Sequence, residues 1–119
     1  MEFKKNIPIY LQIMDKLKQD ISLKTLKPGE KLMSTRELAV ELKVNPNTVS
    51  RVYKELELEN IVFTKRGMGT FVVEDETILE NIKKKMANDI TVKFICDMRD
   101  LNISTDEAIK MLREIEEEK

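Results

Sequence analysis

Within NPNTVSRVYKELEL, residues 45–58, the side chains of Asn47, Ser50, Arg51 and Lys54 stand at i, i+3, i+4 and i+7, a spacing that gathers them on one face of a helix. Short amides and hydroxyls can reach base edges, a guanidinium can pair with two acceptors of one guanine, and an ammonium can neutralise a phosphate. Thr48 flanks them, and unbonded backbone N–H groups expected around Asn45–Thr48 offer a further seat for an anion. A second basic group lies in KRGMGTFV, where Lys65 and Arg66 precede Gly67, Met68, Gly69 and Thr70. Two glycines at a hairpin tip let the backbone lie flat against a polyanion. In MSTREL, Ser34 and Thr35 precede Arg36, a cation at the positive end of a helix, where an approaching phosphate would offset the unfavourable placement. Each group alone also fits a solvated surface. Their combination points to double-stranded DNA.

Other chemistries are excluded by what the chain lacks. Its 119 residues include no histidine and one cysteine, Cys96. Ser-His-Asp and Cys-His nucleophile arrangements are therefore impossible, as are the usual zinc sites. No carboxylate pair stands out for acid–base work, so the chain is read as a non-enzyme with no catalytic residue, no metal ligand and no cofactor. Cys96 has no second cysteine to pair with, and is expected to be a small packing residue in a reducing cytoplasm. No apolar run approaches the ~20 residues that span a bilayer, and MEFKKNIP has no signal-peptide core, so no membrane partner is expected. The net charge of −1 conceals an asymmetry: residues 1–73 carry 13 basic and 9 acidic residues, residues 74–119 carry 8 and 13. Two segments of opposite charge suggest two roles, the basic one facing a polyanion.

The elements that would position these residues follow from periodicity. In IPIYLQIMDKLKQDIS, Pro8 suits the first helical position, and Ile9, Ile13, Leu17 and Ile21 recur every four residues with Tyr10 and Met14 beside them. This helix should end near Lys24, before a turn at Pro28-Gly29. Ser34 and Glu37 make a capping box for a second helix over 35–42, with Leu38, Ala39 and Leu42 inward. Asn45 then reads as the N-cap and Pro46 as the first residue of a third helix that buries Val49, Val52, Tyr53 and Leu56. Asn60 is a left-handed terminator, and IVFTKRGMGTFVVE gives strands at 61–65 and 70–73 around a turn at 66–69. The expected fold is mainly α with a small β-hairpin: a winged helix-turn-helix over residues 1–74, followed by two C-terminal helices over 75–119.

In the tail, Leu79, Ile82, Met86, Ile90, Phe94, Met98 and Leu101 lie three or four apart and predict one long helix over 76–101. A break at 102–104 precedes a second capping box, Ser104 with Glu107, and a last helix with Ala108, Met111, Leu112 and Ile115 that frays in EEEK. Two amphipathic helices leave apolar faces to cover. A second copy of the chain is the expected cover, with folding back onto the first domain as the alternative.

The run PGEKLMSTRELAVELKVNPNTVSRVYKELELENIVFTKRGMGTFV resembles the DNA-binding domain of the GntR family of bacterial transcription regulators, and residues 7–73 carry the likeness. The NPNTV opening and short two-helix tail are similar to its YtrA-type subfamily. The resemblance implies a DNA contact at Arg36 in the S-x-R-E-L segment, contacts at Pro46, Asn47 and Thr48, and a glycine-tipped wing at Gly67–Gly69. A family position often occupied by arginine holds Ser50 here, so Arg51, the sole arginine of this helix, is expected to take over part of the reading. Met33 stands where many members have proline, a departure confined to the turn. The resemblance further implies a cytoplasmic homodimer joined through the tail, a repressor on a two-fold-related operator, and no assigned small-molecule effector. A winged-helix module that binds protein instead of DNA is the rival from another class.

Overall fold

The computed structural model describes residues 1–118. In chain order they form α1 (Ile9–Ser22), α2 (Thr35–Leu42), α3 (Pro46–Leu58), β1 (Val62–Lys65), β2 (Gly69–Val72), α4 (Glu76–Asp100) and α5 (Thr105–Glu118). Helix–turn–helix followed by a hairpin is the expected winged arrangement. No described helix is long and apolar enough to cross a membrane.

Helix α1 begins one residue later than its sequence suggests. Pro8 has φ −53° and ψ 136°, so it is the N-cap and not the first helical residue. Its carbonyl accepts from the Leu11 and Gln12 N–H groups. The Gln12 carboxamide ties down the N-terminal arm, accepting from the Lys4 N–H at 2.8 Å and donating to the carbonyls of Lys4 and Ile7. The buried face of α1 is Ile13, Met14 and Ile21, while Ile9 stays exposed.

Helix α2 carries the expected capping box, with the Glu37 N–H donating to Ser34 Oγ at 3.1 Å and the Ser34 N–H donating to Glu37 Oε1 at 3.0 Å. Lys43 takes a left-handed conformation, φ 57°, and turns the chain into α3. There Asn45 caps and Pro46 opens the helix. Val49, Val52 and Leu56 are 0% exposed, so rotation of α3 about its axis is fixed and its polar face has one direction to point. The Tyr53 hydroxyl donates to the Met33 carbonyl at 2.7 Å, tying α3 to the loop before α2. An ion pair from Lys18 to Glu59 at 3.0 Å joins α1 to the far end of α3. Asn60 has φ 62°, as its place after the helix predicts.

The strands are shorter than the sequence suggests. Pairing runs Val62↔Val72, Phe63↔Phe71, Thr64↔Thr70 and Lys65↔Gly69, so Gly69 begins β2 and does not belong to the turn. Ile61 lies outside the ladder, its N–H donating to the Leu56 carbonyl at 3.0 Å. Val73 likewise lies beyond β2. A third edge went unread in the sequence. Past the Pro28-Gly29 turn, the Gly29 and Leu32 N–H groups donate to the Val72 and Thr70 carbonyls, and the Val72 N–H donates to the Glu30 carbonyl. Residues 29–32 thereby lie along β2, burying Leu32 and exposing Lys31.

The chain falls into two compact units, and the first, Met1–Lys83, includes the first two turns of α4. Leu79 and Ile82, in those turns, are buried. The second unit holds the rest of α4 and α5. Asn102, φ 60°, ends α4, and the Ile103 N–H donates to the Met98 carbonyl at 2.9 Å. Only one arm of the second capping box forms. The Glu107 N–H donates to Ser104 Oγ at 3.1 Å, but the Glu107 carboxylate takes the Ser104 hydroxyl instead of its backbone N–H. Helix α5 continues through Glu116 and Glu117 to Glu118, where fraying was expected; Lys119 lies outside the described residues.

Candidate nucleic-acid interface

On α3, Asn47, Ser50, Arg51 and Lys54 are exposed and Thr48 is half-buried. The face opposite the buried stripe is therefore polar and basic, as the spacing predicts. Most of the donors expected to seat an anion at the start of this helix are not free. Pro46 has no N–H, the Asn47 N–H donates to Asn45 Oδ1 at 2.8 Å, and the Thr48 N–H donates to the Asn45 carbonyl at 2.9 Å. The residues that start α3 so cleanly also consume its terminal donors. What Asn45 still offers outward is its side-chain NH2.

Arg51 is not a free-swinging cation. Its guanidinium carbon lies 3.6 Å from the centroid of the Tyr10 ring on α1, a face-on cation–π contact. Sequence reasoning gave Tyr10 no role beyond the α1 stripe, because the pair meets only once α1 packs on α3. Among the described residues, no carboxylate lies within 4.0 Å of the charged groups of Arg36, Arg51, Lys54, Lys65 or Arg66.

Arg36 is exposed in the first turn of α2, beside the capping box. The Glu37 carboxyl there is held below the usual carboxylate range by the hydrogen bond from the Ser34 backbone, then by the Ser34 hydroxyl, with the Lys31 charge adding to both. The ionised Glu37 eases the placement of Arg36 at a positive helix end. Ser34 spends its hydroxyl on the cap, and Thr35 is half-buried beside it.

In the wing, Arg66, Gly67 and Met68 form the exposed tip. Gly67 has φ 77°, a left-handed conformation that admits glycine readily. Phe63 and Phe71 stack with centroids 5.7 Å apart, and Lys65 Nζ lies 5.6 and 5.3 Å from the two rings. Thr70 pairs with Thr64, one step in from the Lys65–Gly69 pair that closes the tip. Lys31 crosses Gly69 so closely that a Cβ there would stand 2.8 Å from its Cε. Lys31 is a further basic residue of this wing, missed because the third edge was missed.

The tail residues divide by burial. Leu79, Ile82 and Ala108 are covered within a single chain, and Met86, Phe94 and Met98 are half-buried. Ile90, Leu101, Met111, Leu112 and Ile115 are exposed, joined by Val92 and Ile109, which the periodic reading passed over. Cys96, expected to pack, is exposed.

A capped helix-turn-helix with a locked recognition helix, flanked by a basic glycine-tipped wing, defines a DNA-binding transcription regulator of the winged-helix class. Residues 9–72 match the family described as bacterial regulatory proteins, gntR family. The chain belongs to that family. It is 39% identical over 112 residues to the uncharacterized HTH-type transcriptional regulator YhcF of Bacillus subtilis, covering 94% of this chain and 93% of YhcF. It is 39% identical over 109 residues to the HTH-type transcriptional repressor YtrA of the same organism, covering 91% of this chain and 84% of YtrA. Among solved structures, a GntR family transcriptional regulator from Listeria monocytogenes superposes with TM-score 0.89 at 38% identity, covering 94% of this chain and 98% of that one.

Proposed function

We propose that the protein is a homodimeric repressor that binds a two-fold-related operator, with α3 in the major groove and the wing along the backbone or minor groove. The observation that carries the DNA-reading part is the locked rotation of α3. With Val49, Val52 and Leu56 wholly buried, the face formed by Asn47, Ser50, Arg51 and Lys54 is the only one it can present. Asn45, Pro46 and Thr48 shape the leading end of that face. Arg36, set beside the Ser34 cap and Thr35, and Lys65–Thr70 of the wing hold the flanking phosphates. Residues 1–74 supply DNA binding and the tail supplies dimerisation.

The dimer follows from unsatisfied apolar surface. Ile90 is 69% exposed and Leu101 71%, alongside Met111, Leu112 and Ile115. Full burial of such a side chain is worth roughly 1.5–3 kcal/mol, of which the part still exposed here remains to be gained, and this favours association through the surface. Repression is supported by the relative named a transcriptional repressor, and action on DNA assigns the protein to the cytoplasm. Half-sites then lie about one helical turn, ~34–36 Å, or a multiple apart. Selection of bound sequences from a random duplex library tests the whole reading, since a palindromic consensus at such a spacing is the expected product. Recovery of no consensus, with binding insensitive to salt, would leave the protein-binding module as the better account.

A further inference from the structure

Tyr10 is not itself among the residues assigned above to the DNA-reading face, yet its ring sits under the one arginine of the recognition helix. We propose that Tyr10 is a positioning residue for base reading: its ring holds the Arg51 guanidinium in the attitude in which it meets a base pair. The proposal rests on α3 being the DNA-reading helix.

Three observations carry it. The first is the geometry, with the guanidinium carbon 3.6 Å from the ring centroid, which places the cation over the π-face. The second is the mounting of the ring. Tyr10 is half-buried on α1, whose neighbours Ile13 and Met14 are in the core, and α1 is tied to α3 again by the Lys18–Glu59 ion pair at 3.0 Å. The platform therefore moves with the recognition helix. The third is what does not hold Arg51, since none of its guanidinium nitrogens lies within 4.0 Å of a carboxylate of the described residues.

The chemistry of the support matters. A carboxylate partner would fix an arginine by taking its in-plane N–H donors, the same donors that recognise guanine O6 and N7. An aromatic face engages the π-surface of the cation and leaves all five in-plane donors directed outward. A long side chain with much rotamer freedom to lose is thereby ordered before DNA arrives, without spending its recognition groups. Only a ring beneath the guanidinium achieves both.

The test uses the full chain and the best duplex from the library selection, together with every single base-pair variant of that duplex. Affinities are measured for the wild type, Tyr10→Phe, Tyr10→Leu, Arg51→Ala and the Tyr10→Leu/Arg51→Ala double variant. Tyr10→Leu should weaken binding to the selected duplex roughly fivefold and flatten discrimination at the base step that Arg51→Ala also flattens. Tyr10→Phe should keep both affinity and discrimination, and the double variant should bind no worse than Arg51→Ala alone. A loss that persists in the Arg51→Ala background, or spreads evenly over all base steps, would make Tyr10 merely structural and overturn the proposal. Absence of any preferred duplex for the wild type would overturn the reading of α3 itself, an outcome distinct from failure at Tyr10. Should Tyr10→Leu fail to fold, NMR of the wild type decides. Arg51 side-chain protons shifted upfield by the ring, free and DNA-bound, support the proposal, and unshifted protons refute it.

Discussion

Replacing Tyr53 with phenylalanine isolates one of the few polar ties that hold the recognition helix to the rest of the domain. Tyr53 is 8% exposed, and its hydroxyl donates to the Met33 carbonyl at 2.7 Å. Removing the hydroxyl loses the bond and leaves a carbonyl without that donor, together worth about 1–2 kcal/mol of unfolding free energy. The ring stays, so Val49, Val52 and Leu56 keep their packing and DNA preference should be unchanged. The pH dependence is more diagnostic. Burial, then the nearby Glu37 charge, pushes the Tyr53 hydroxyl up to about 12 from its ordinary 10.0. A folded pKa above the unfolded one means the native state keeps a proton that the unfolded chain releases. The contribution is complete below pH 10 and declines as pH rises toward 12, with a span of about 2–3 kcal/mol. Denaturant unfolding of wild type and Tyr53→Phe at several pH values cancels the lysines and other groups that titrate in both. The stability gap should favour the wild type at pH 7 to 9, close between pH 10 and 12 and then reverse, since the pH-dependent span exceeds the gap at neutral pH. A gap that stays constant across that window would show that the hydroxyl is not the buried, bonded group described here.

Three further outcomes concern DNA and assembly. Arg51→Ala should reduce specific binding by about 1–3 kcal/mol and leave random-duplex binding nearly untouched; equal losses on both would make Arg51 a phosphate contact. Arg36→Ala should lower affinity on all sequences and reduce the salt slope by about 1, read from titrations at several ionic strengths, and an unchanged slope would mean this arginine is only solvated. Leu101→Glu, at an exposed position of the tail, should shift the protein toward monomer in sedimentation with its helix content preserved. A dimer unaffected by this change would remove the exposed tail surface from the interface.

Much of this was legible in the sequence because it is local. Asn45 and Pro46 announce the start of α3, and Val49, Val52, Tyr53 and Leu56 announce its inner face, since capping and periodicity act within one or two turns. What escaped is what only the packed chain brings together. The contact of Tyr10 with Arg51 spans two helices, Tyr53 finds Met33 across a turn, and residues 29–32 find β2 from forty residues away. In the tail, the even spacing from Leu79 to Leu101 hides a change of role. Leu79 and Ile82 belong to the first unit, and surface remains open only further along. Periodicity reveals that a face is apolar and is silent on what covers it.

One local inference failed for an instructive reason. A helix start usually supplies free N–H groups to an anion, but Asn45 and Pro46 remove them, one by bonding and one by lacking the donor. On the function proposed above, phosphate attraction would then rest mainly on side chains: Arg36, Lys54, Lys65, Arg66 and Lys31, none of which has a carboxylate within 4.0 Å among the described residues. Lys31 and Lys65 both lean on the wing, one across Gly69 and one over the Phe63–Phe71 stack. The wing thus carries two lysines lying against it, while the recognition helix carries one supported arginine and short polar groups. On the function proposed above, affinity and selectivity would be divided between the two elements: the wing and α2 would set how tightly any duplex is held, and the narrow polar face of α3 which one.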